Sequence, residues 1–181
     1  MSFQSRRNLL KLGLGLAAVA VPGLGATAAL ANAPVKRIAL HNLHTGDALD
    51  AVYWERGAYL PDVLARVNHV LRDFRTGDTH PMNPRLLDLL DILSARLEAR
   101  APFQVISGYR SPKTNAMLHR ETPGVASQSL HMQGMAIDIR LPGTELGRLH
   151  RAALSLNGGG VGYYPQSDFV HVDVGPVRCW G

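Results

Sequence analysis

The sequence predicts an α+β protein: one domain in which a small antiparallel sheet packs against helices. Three observations carry this expectation. Two stretches in the first half repeat apolar residues at three- and four-residue steps, the period of a helix with one buried face. Two short runs at the C-terminal end, 161–164 and 169–174, are rich in β-formers. A third strand-like run, 135–140, alternates strictly. An apolar content of 46% against 18% charged residues supports a buried core rather than a disordered chain.

The elements follow in order. Residues 35–54 read as a hairpin: Arg37-Ile-Ala-Leu40, a turn at His44-Thr-Gly-Asp47, then a return strand from Leu49. His41 and His44 lie beside the turn and are expected to face solvent. Pro61 opens a helix whose stripe is Val63, Leu64, Val67, Val70, Leu71 and Phe74, stopped by Thr76-Gly-Asp78. Asn83 caps a second helix with Pro84 in its first turn and Leu86, Leu87, Leu90, Leu93 and Leu97 as its inner face. His69 and His80 are expected to be structural or exposed.

Residues 103–107 form a short strand, and Ser111-Pro112 opens a short helix through Leu118. A further helix is expected over 144–156, with Asn157-Gly-Gly-Gly160 as its stop signal. His119 and His150 have no partner at ligand spacing. Trp180 is expected to plug the core.

The first thirty-one residues belong to a different category. Ser5-Arg6-Arg7-Asn8-Leu9-Leu10-Lys11 is a twin-arginine pattern, followed by an apolar Gly/Ala-rich run and the small residues Ala29-Leu30-Ala31. Residues 1–31 therefore read as an export signal cut after Ala31, leaving 32–181 as the mature domain. The alternative cut after Ala33 would place Pro34 first and is disfavoured. Pro22 and several glycines interrupt the apolar run, so it is a weak spanning helix, and no stable membrane span is expected after processing. This signal implies the twin-arginine export machinery as a partner and a periplasmic destination. Its removal takes away three cations and lowers the formal charge from +5 to about +2. A charge that small argues against nucleic acid. Cys179 is the only cysteine, which excludes both an intrachain disulfide and a lipid-bearing cysteine at the cut.

The chemistry concentrates in Ser129-Leu-His-Met-Gln-Gly-Met-Ala-Ile-Asp-Ile-Arg140. Alternation turns Ile137 and Ile139 to one face and Asp138 to the other, and Gly134 lets the chain fold tightly so that His131 can approach Asp138. In the last strand Val170, Val172 and Val174 share the core face, while Phe169, His171 and Asp173 share the opposite one. Antiparallel pairing of the two strands would bring His171 across from Asp138. Two imidazoles and one carboxylate are the ligand set of a catalytic zinc with one open position. Taken alone, this spacing fits satisfied core residues equally well.

Larger motifs add to it. Ser107-Gly-Tyr-Arg-Ser-Pro112, Ser129-x-His131-x-x-Gly134-x-x-x-Asp138, Gly159-Gly-Val-Gly-Tyr-Tyr-Pro165, Phe169-Val-His-Val-Asp173 and Gly175-Pro-Val-Arg-Cys-Trp180 occur in one order along the chain. Together they resemble the YcbK-like murein endopeptidases of the D-Ala-D-Ala metallopeptidase superfamily, which is related to lysostaphin-type enzymes and the hedgehog signalling domain. The resemblance implies one zinc per chain on His131, Asp138 and His171. It also implies hydrolysis of peptidoglycan stem-peptide cross-links at bonds beside meso-diaminopimelate.

Two carboxylates compete as general base. Strand alternation favours Asp173; relatives in the superfamily have an acidic residue three positions before the histidine, where Asp168 stands, which requires a bend after Pro165. Arg110 is read as a catalytic or substrate-holding guanidinium, with a surface ion pair as the alternative. Tyr109, Ser129 and Tyr164 complete the expected substrate side, although Ser129 fits a turn cap equally well. A non-catalytic zinc-containing wall-binding module and a D,D- or L,D-carboxypeptidase are the rival functions.

Overall fold

The computed structural model describes residues 34–122 and 125–181; the expected export signal lies outside them. Eight strands form one sheet: β1 (Val35–Asn42), β2 (Ala48–Glu55), β3 (Ala58–Tyr59), β4 (Phe103–Ser107), β5 (Ala136–Arg140), β6 (Gly160–Tyr164), β7 (Phe169–Asp173) and β8 (Arg178–Trp180). Their order across the sheet is β3-β2-β1-β4-β5-β7-β6-β8. The small, purely antiparallel sheet expected from the sequence is thus corrected to an eight-stranded mixed one. β1 pairs parallel with β4, and β6 pairs parallel with β8. The first parallel pair forms because two helices intervene between β1 and β4, giving the chain the length a crossover needs.

Those helices are α1 (Pro61–Val70) and α2 (Pro84–Leu97); α3 (Pro112–Glu121) and α4 (Leu146–Ser155) follow. The Asn83 side chain accepts from the Arg85 amide and caps α2 as expected. Ser111 caps α3 in the same way through the Thr114 amide. α1 ends four residues before Phe74. Asp73 there accepts from the Arg75 amide and, across the chain, from the Ser111 amide. These local bonds give the backbone an alternative to the next helical turn.

One core joins α1, α2 and α4 to the sheet. It includes Val67, Val70, Leu86, Leu90, Leu93, Leu149, Val105, Ile137, Ile139, Val170 and Val172. The sheet register explains which side chains enter it. Val105 lies opposite Ile139, Ile139 opposite Val170, and Val170 opposite Tyr163, so one apolar row crosses four strands. The neighbouring row, on the other face, is Ser107, Asp138, His171 and Gly162. That polar row is the floor of the site.

Candidate metal centre

Asp138 pairs directly across from His171, as alternation on β5 and β7 requires. Its Oδ1 lies 2.8 Å from His171 Nδ1. The same Oδ1 lies 3.2 Å from His131 Nε2, and that nitrogen is 3.2 Å from His171 Nδ1. Three ligand atoms therefore form a nearly equilateral triangle, and all three residues are buried. Among the described residues they are the one group of three or more histidine, cysteine or acidic side chains close enough to hold an ion.

His131 stands on a 3-10 turn, Leu130–Gln133, whose first residue is capped by Ser129: its hydroxyl accepts from the His131 amide at 3.3 Å. Ser129 thus serves the turn. Gly134 ends the turn with φ of 65°, and a side chain there would run into the Pro81 carbonyl. The ring is oriented by a bond of 2.7 Å between Nδ1 and the Gly108 carbonyl. A carbonyl only accepts, so Nδ1 carries the proton and Nε2 presents its lone pair to the centre.

His171 is held from behind. Its Nε2 lies 3.1 Å from Asp173 Oδ2. Asp173 is fully buried. Its Oδ1 accepts from the Gly160 and Gly175 amides at 2.9 Å each and from Arg178 Nη1 at 3.2 Å, and its Oδ2 also accepts from Arg178 Nη2 at 2.7 Å. Trp180 lies beside the ring, with centroids 5.2 Å apart. Its indole N–H donates to the Tyr164 hydroxyl at 2.8 Å.

Arg110 anchors Asp138. Its Nη2 donates to Asp138 Oδ2 at 2.6 Å and its Nε to the Ser107 hydroxyl at 2.9 Å. The guanidinium is thereby engaged within the protein rather than extended towards solvent.

The three groups shift in different directions. Burial lowers the His131 pKa and favours its neutral ring. Burial alone would raise the Asp138 pKa, but the two facing imidazoles outweigh it and keep the carboxyl well below its usual range. Burial would likewise lower His171, but its bonds to Asp138 and Asp173 reverse the sign and raise it. If His171 donates from Nε2 to Asp173, its Nδ1 adds a third lone pair to the same point. Three lone pairs converging in a buried pocket are compatible with a cation. Tetrahedral zinc at about 2.0–2.2 Å separates its ligand atoms by about 3.3–3.6 Å, so a slight opening of the triangle admits it. The donor set fits the metal.

The remaining site candidates lie as follows. Asp168 follows a 3-10 turn at Pro165–Ser167, with φ of 53°. It is exposed and ion-pairs with Arg140 through Oδ2 at 2.6 Å. The bend after Pro165 therefore exists, and strand parity does not extend to Asp168. Tyr109 stacks on His80 with centroids 4.8 Å apart, and Tyr164 stacks on Phe169 at 4.6 Å. Trp180 is half-buried beside His171, which corrects its expected place in the core. Sequence reasoning missed Ser107, the Gly108 carbonyl and Arg178. Ser107 shares the parity of the core residue Val105 and reaches the polar row only through the irregularity between them, and a backbone carbonyl leaves no mark in a sequence; Arg178 does have the right strand parity.

The fold and this cluster define a class: an α+β domain whose central strands gather a buried His-Asp-His group compatible with a metal ion. The chain belongs to the family described as peptidoglycan L,D-endopeptidase MepK, whose family model matches residues 30–180. It is 42% identical to the peptidoglycan L,D-endopeptidase MepK of Escherichia coli K12 over 179 residues, 97% of each chain. The Shigella flexneri protein of the same name gives the same figures. A probable peptidoglycan L,D-endopeptidase MepK of Haemophilus influenzae is 39% identical over 180 residues, 98% of this chain and 96% of the relative.

Proposed function

We propose that this protein is an exported zinc peptidase that hydrolyses peptide cross-links of peptidoglycan at L,D bonds beside meso-diaminopimelate. The observation that carries the proposal is the triangle of His131 Nε2, Asp138 Oδ1 and His171 Nδ1, in a chain whose relatives are named for L,D-endopeptidase activity. Two imidazoles with a carboxylate favour zinc over magnesium or calcium, which prefer all-oxygen sites.

When bound, such an ion would polarise the scissile carbonyl and ease deprotonation of water. His131, Asp138 and His171 hold the ion, and Arg110 fixes Asp138 so that Oδ1 faces it. Asp168 takes the proton from the attacking water and passes it to the leaving amine. It is exposed, and among the described residues only its Oδ2 is engaged, by Arg140. Asp173, which strand alternation favoured for that task, has both oxygens engaged and no exposed surface. Burial would raise its pKa, but bonds from His171, Arg178 and two backbone amides hold it well below the usual carboxylate range. Such a carboxylate is a poor proton acceptor, and we assign it to positioning His171. We assign Tyr109 and Tyr164 to the substrate side of the site.

Residues 1–31 are the twin-arginine signal in this proposal, and the mature domain acts in the periplasm. The family model begins at residue 30, beside the proposed cut. Among the described residues no helix is long and apolar enough to cross a membrane.

The test is digestion of purified sacculi with and without a chelator, with products identified by mass. The proposal predicts chelator-sensitive release of fragments split at the L,D cross-link. Loss of a terminal residue alone would identify a carboxypeptidase instead. Binding of sacculi without release by the zinc-loaded protein would identify a wall-binding module.

A further inference from the structure

We infer that the C-terminal strand β8 is a brace for the third ligand: Arg178, acting through Asp173, fixes His171 with Nε2 protonated and Nδ1 directed to the centre. The inference rests on the reading of His131, Asp138 and His171 as a metal site.

β8 pairs with β6 so that Arg178 lies opposite Gly160 and Trp180 opposite Gly162. Two residues apart on a strand, Arg178 and Trp180 share one face, the face that carries His171. Arg178 grips Asp173 with two parallel bonds, a bidentate pairing that fixes the plane of the carboxylate as well as its place. An ionised carboxylate only accepts, so Asp173 takes the Nε2 proton of His171; with a cation at the centre, Nδ1 is then the nitrogen that turns its lone pair inward. Trp180 packs beside the same ring, with centroids 5.2 Å apart, and beneath the Arg178 guanidinium. The glycines opposite are part of the device. A Cβ on Gly160 would meet both Asp173 Oδ2 and Arg178 Nη1 at 2.5 Å, and a Cβ on Gly162 would meet the Trp180 ring at 2.7 Å. The glycine run that reads in sequence as a helix stop therefore also clears space for the brace. Arg178 and Asp173 are positioning residues; neither needs to touch substrate.

The experiment titrates the full-length chain and its Arg178→Ala, Arg178→Lys and Asp173→Asn variants with zinc against a chromophoric chelator, and records the visible spectrum of each cobalt-substituted protein. The brace predicts zinc affinity about 10–100-fold weaker in Arg178→Ala and Asp173→Asn. It predicts an altered cobalt band in both and an intermediate result for Arg178→Lys, which keeps the charge but not the two-point grip. A contact that merely closed the sheet edge would lower the melting temperature and leave affinity and spectrum unchanged in folded protein; that result overturns the brace. If Arg178→Ala does not fold, the other two variants decide by the same readings. Wild-type protein that binds no zinc overturns the metal reading, and the brace with it. Wild-type protein that binds one zinc beside variants that bind equally well overturns the brace alone.

Discussion

Each of the three proposed ligand side chains turns one atom to the centre and has another atom tied down. His131 is tied to the Gly108 carbonyl, Asp138 to Arg110, and His171 to Asp173. Such outer partners hold the ligands in the orientation an ion needs, and removing one typically weakens metal binding about 10–100-fold. Arg110→Gln should therefore lower zinc affinity within that range while the protein stays folded, and Arg110→Lys should not restore it, since a single ammonium nitrogen lacks the separated, fixed donors by which Nε reaches Ser107 and Nη2 reaches Asp138. His131→Ala should cost more than any outer partner; a chelator-competition titration ranks the variants. Asp73 supplies a residue-scale test of stability. Burial would raise its pKa, but bonds from Thr114, Ser111 and the Arg75 amide outweigh burial and lower it. A folded-state pKa below the unfolded one means the unfolded chain binds more protons, so stability rises with pH. Asp73 thus contributes fully above about pH 4, and the contribution fades as pH falls through its lowered value. Urea unfolding at neutral pH should find Asp73→Asn less stable by about 1.5–3 kcal/mol, with the gap closing on acidification.

At the scale of elements, strand alternation decided how much of the site could be read in advance. On β5 and β7 every second residue is apolar and buried, so Asp138 and His171 had to share the other face, and their register followed from antiparallel pairing. Alternation failed where the chain leaves the strand. Asp168 sits after a 3-10 turn at positive φ, and its direction is set by that turn rather than by parity. β3 and β8 are too short for a periodic signal, being two and three residues long, which is why Trp180 read as a core residue. The helices were legible from their stripes, yet α1 stops at Val70, shortly before the buried Asp73, which accepts from the Arg75 amide nearby and from the Ser111 amide across the chain. Two element-scale predictions follow from the packing. Leu90 of α2 is wholly buried, and Leu90→Ala should lower stability by about 2–5 kcal/mol in denaturant unfolding. Gly134→Ala should both strain the backbone and shift the His131 turn, so zinc affinity should fall along with the melting temperature.

Across the whole molecule the two faces of one sheet divide the labour. One face packs α1, α2 and α4 into the core; the other holds the polar row from Ser107 to Gly162. The mixed topology matters here, because parallel entry of β4 beside β1 brings the Ser107–Ser111 loop against β5. Arg110 and the Gly108 carbonyl reach two ligands from that loop, and β8 closes the far edge behind the third. Helices, hairpin and late strands were readable from local pattern, whereas the parallel pairings depend on distant chain segments and were not. Export belongs to this scale as well: Arg6→Lys with Arg7→Lys should leave precursor in the cytoplasm, measured by cell fractionation, if residues 1–31 act as a twin-arginine signal.

The central claim is that one divalent ion sits among His131, Asp138 and His171 with a coordination position open to water or substrate. Anomalous diffraction at the zinc edge from crystals of the zinc-loaded protein tests it most directly. The account predicts a single peak about 2.0–2.2 Å from His131 Nε2, Asp138 Oδ1 and His171 Nδ1, with its fourth side free of protein ligands. Absence of a peak there, or an ion enclosed by four protein ligands, would contradict it.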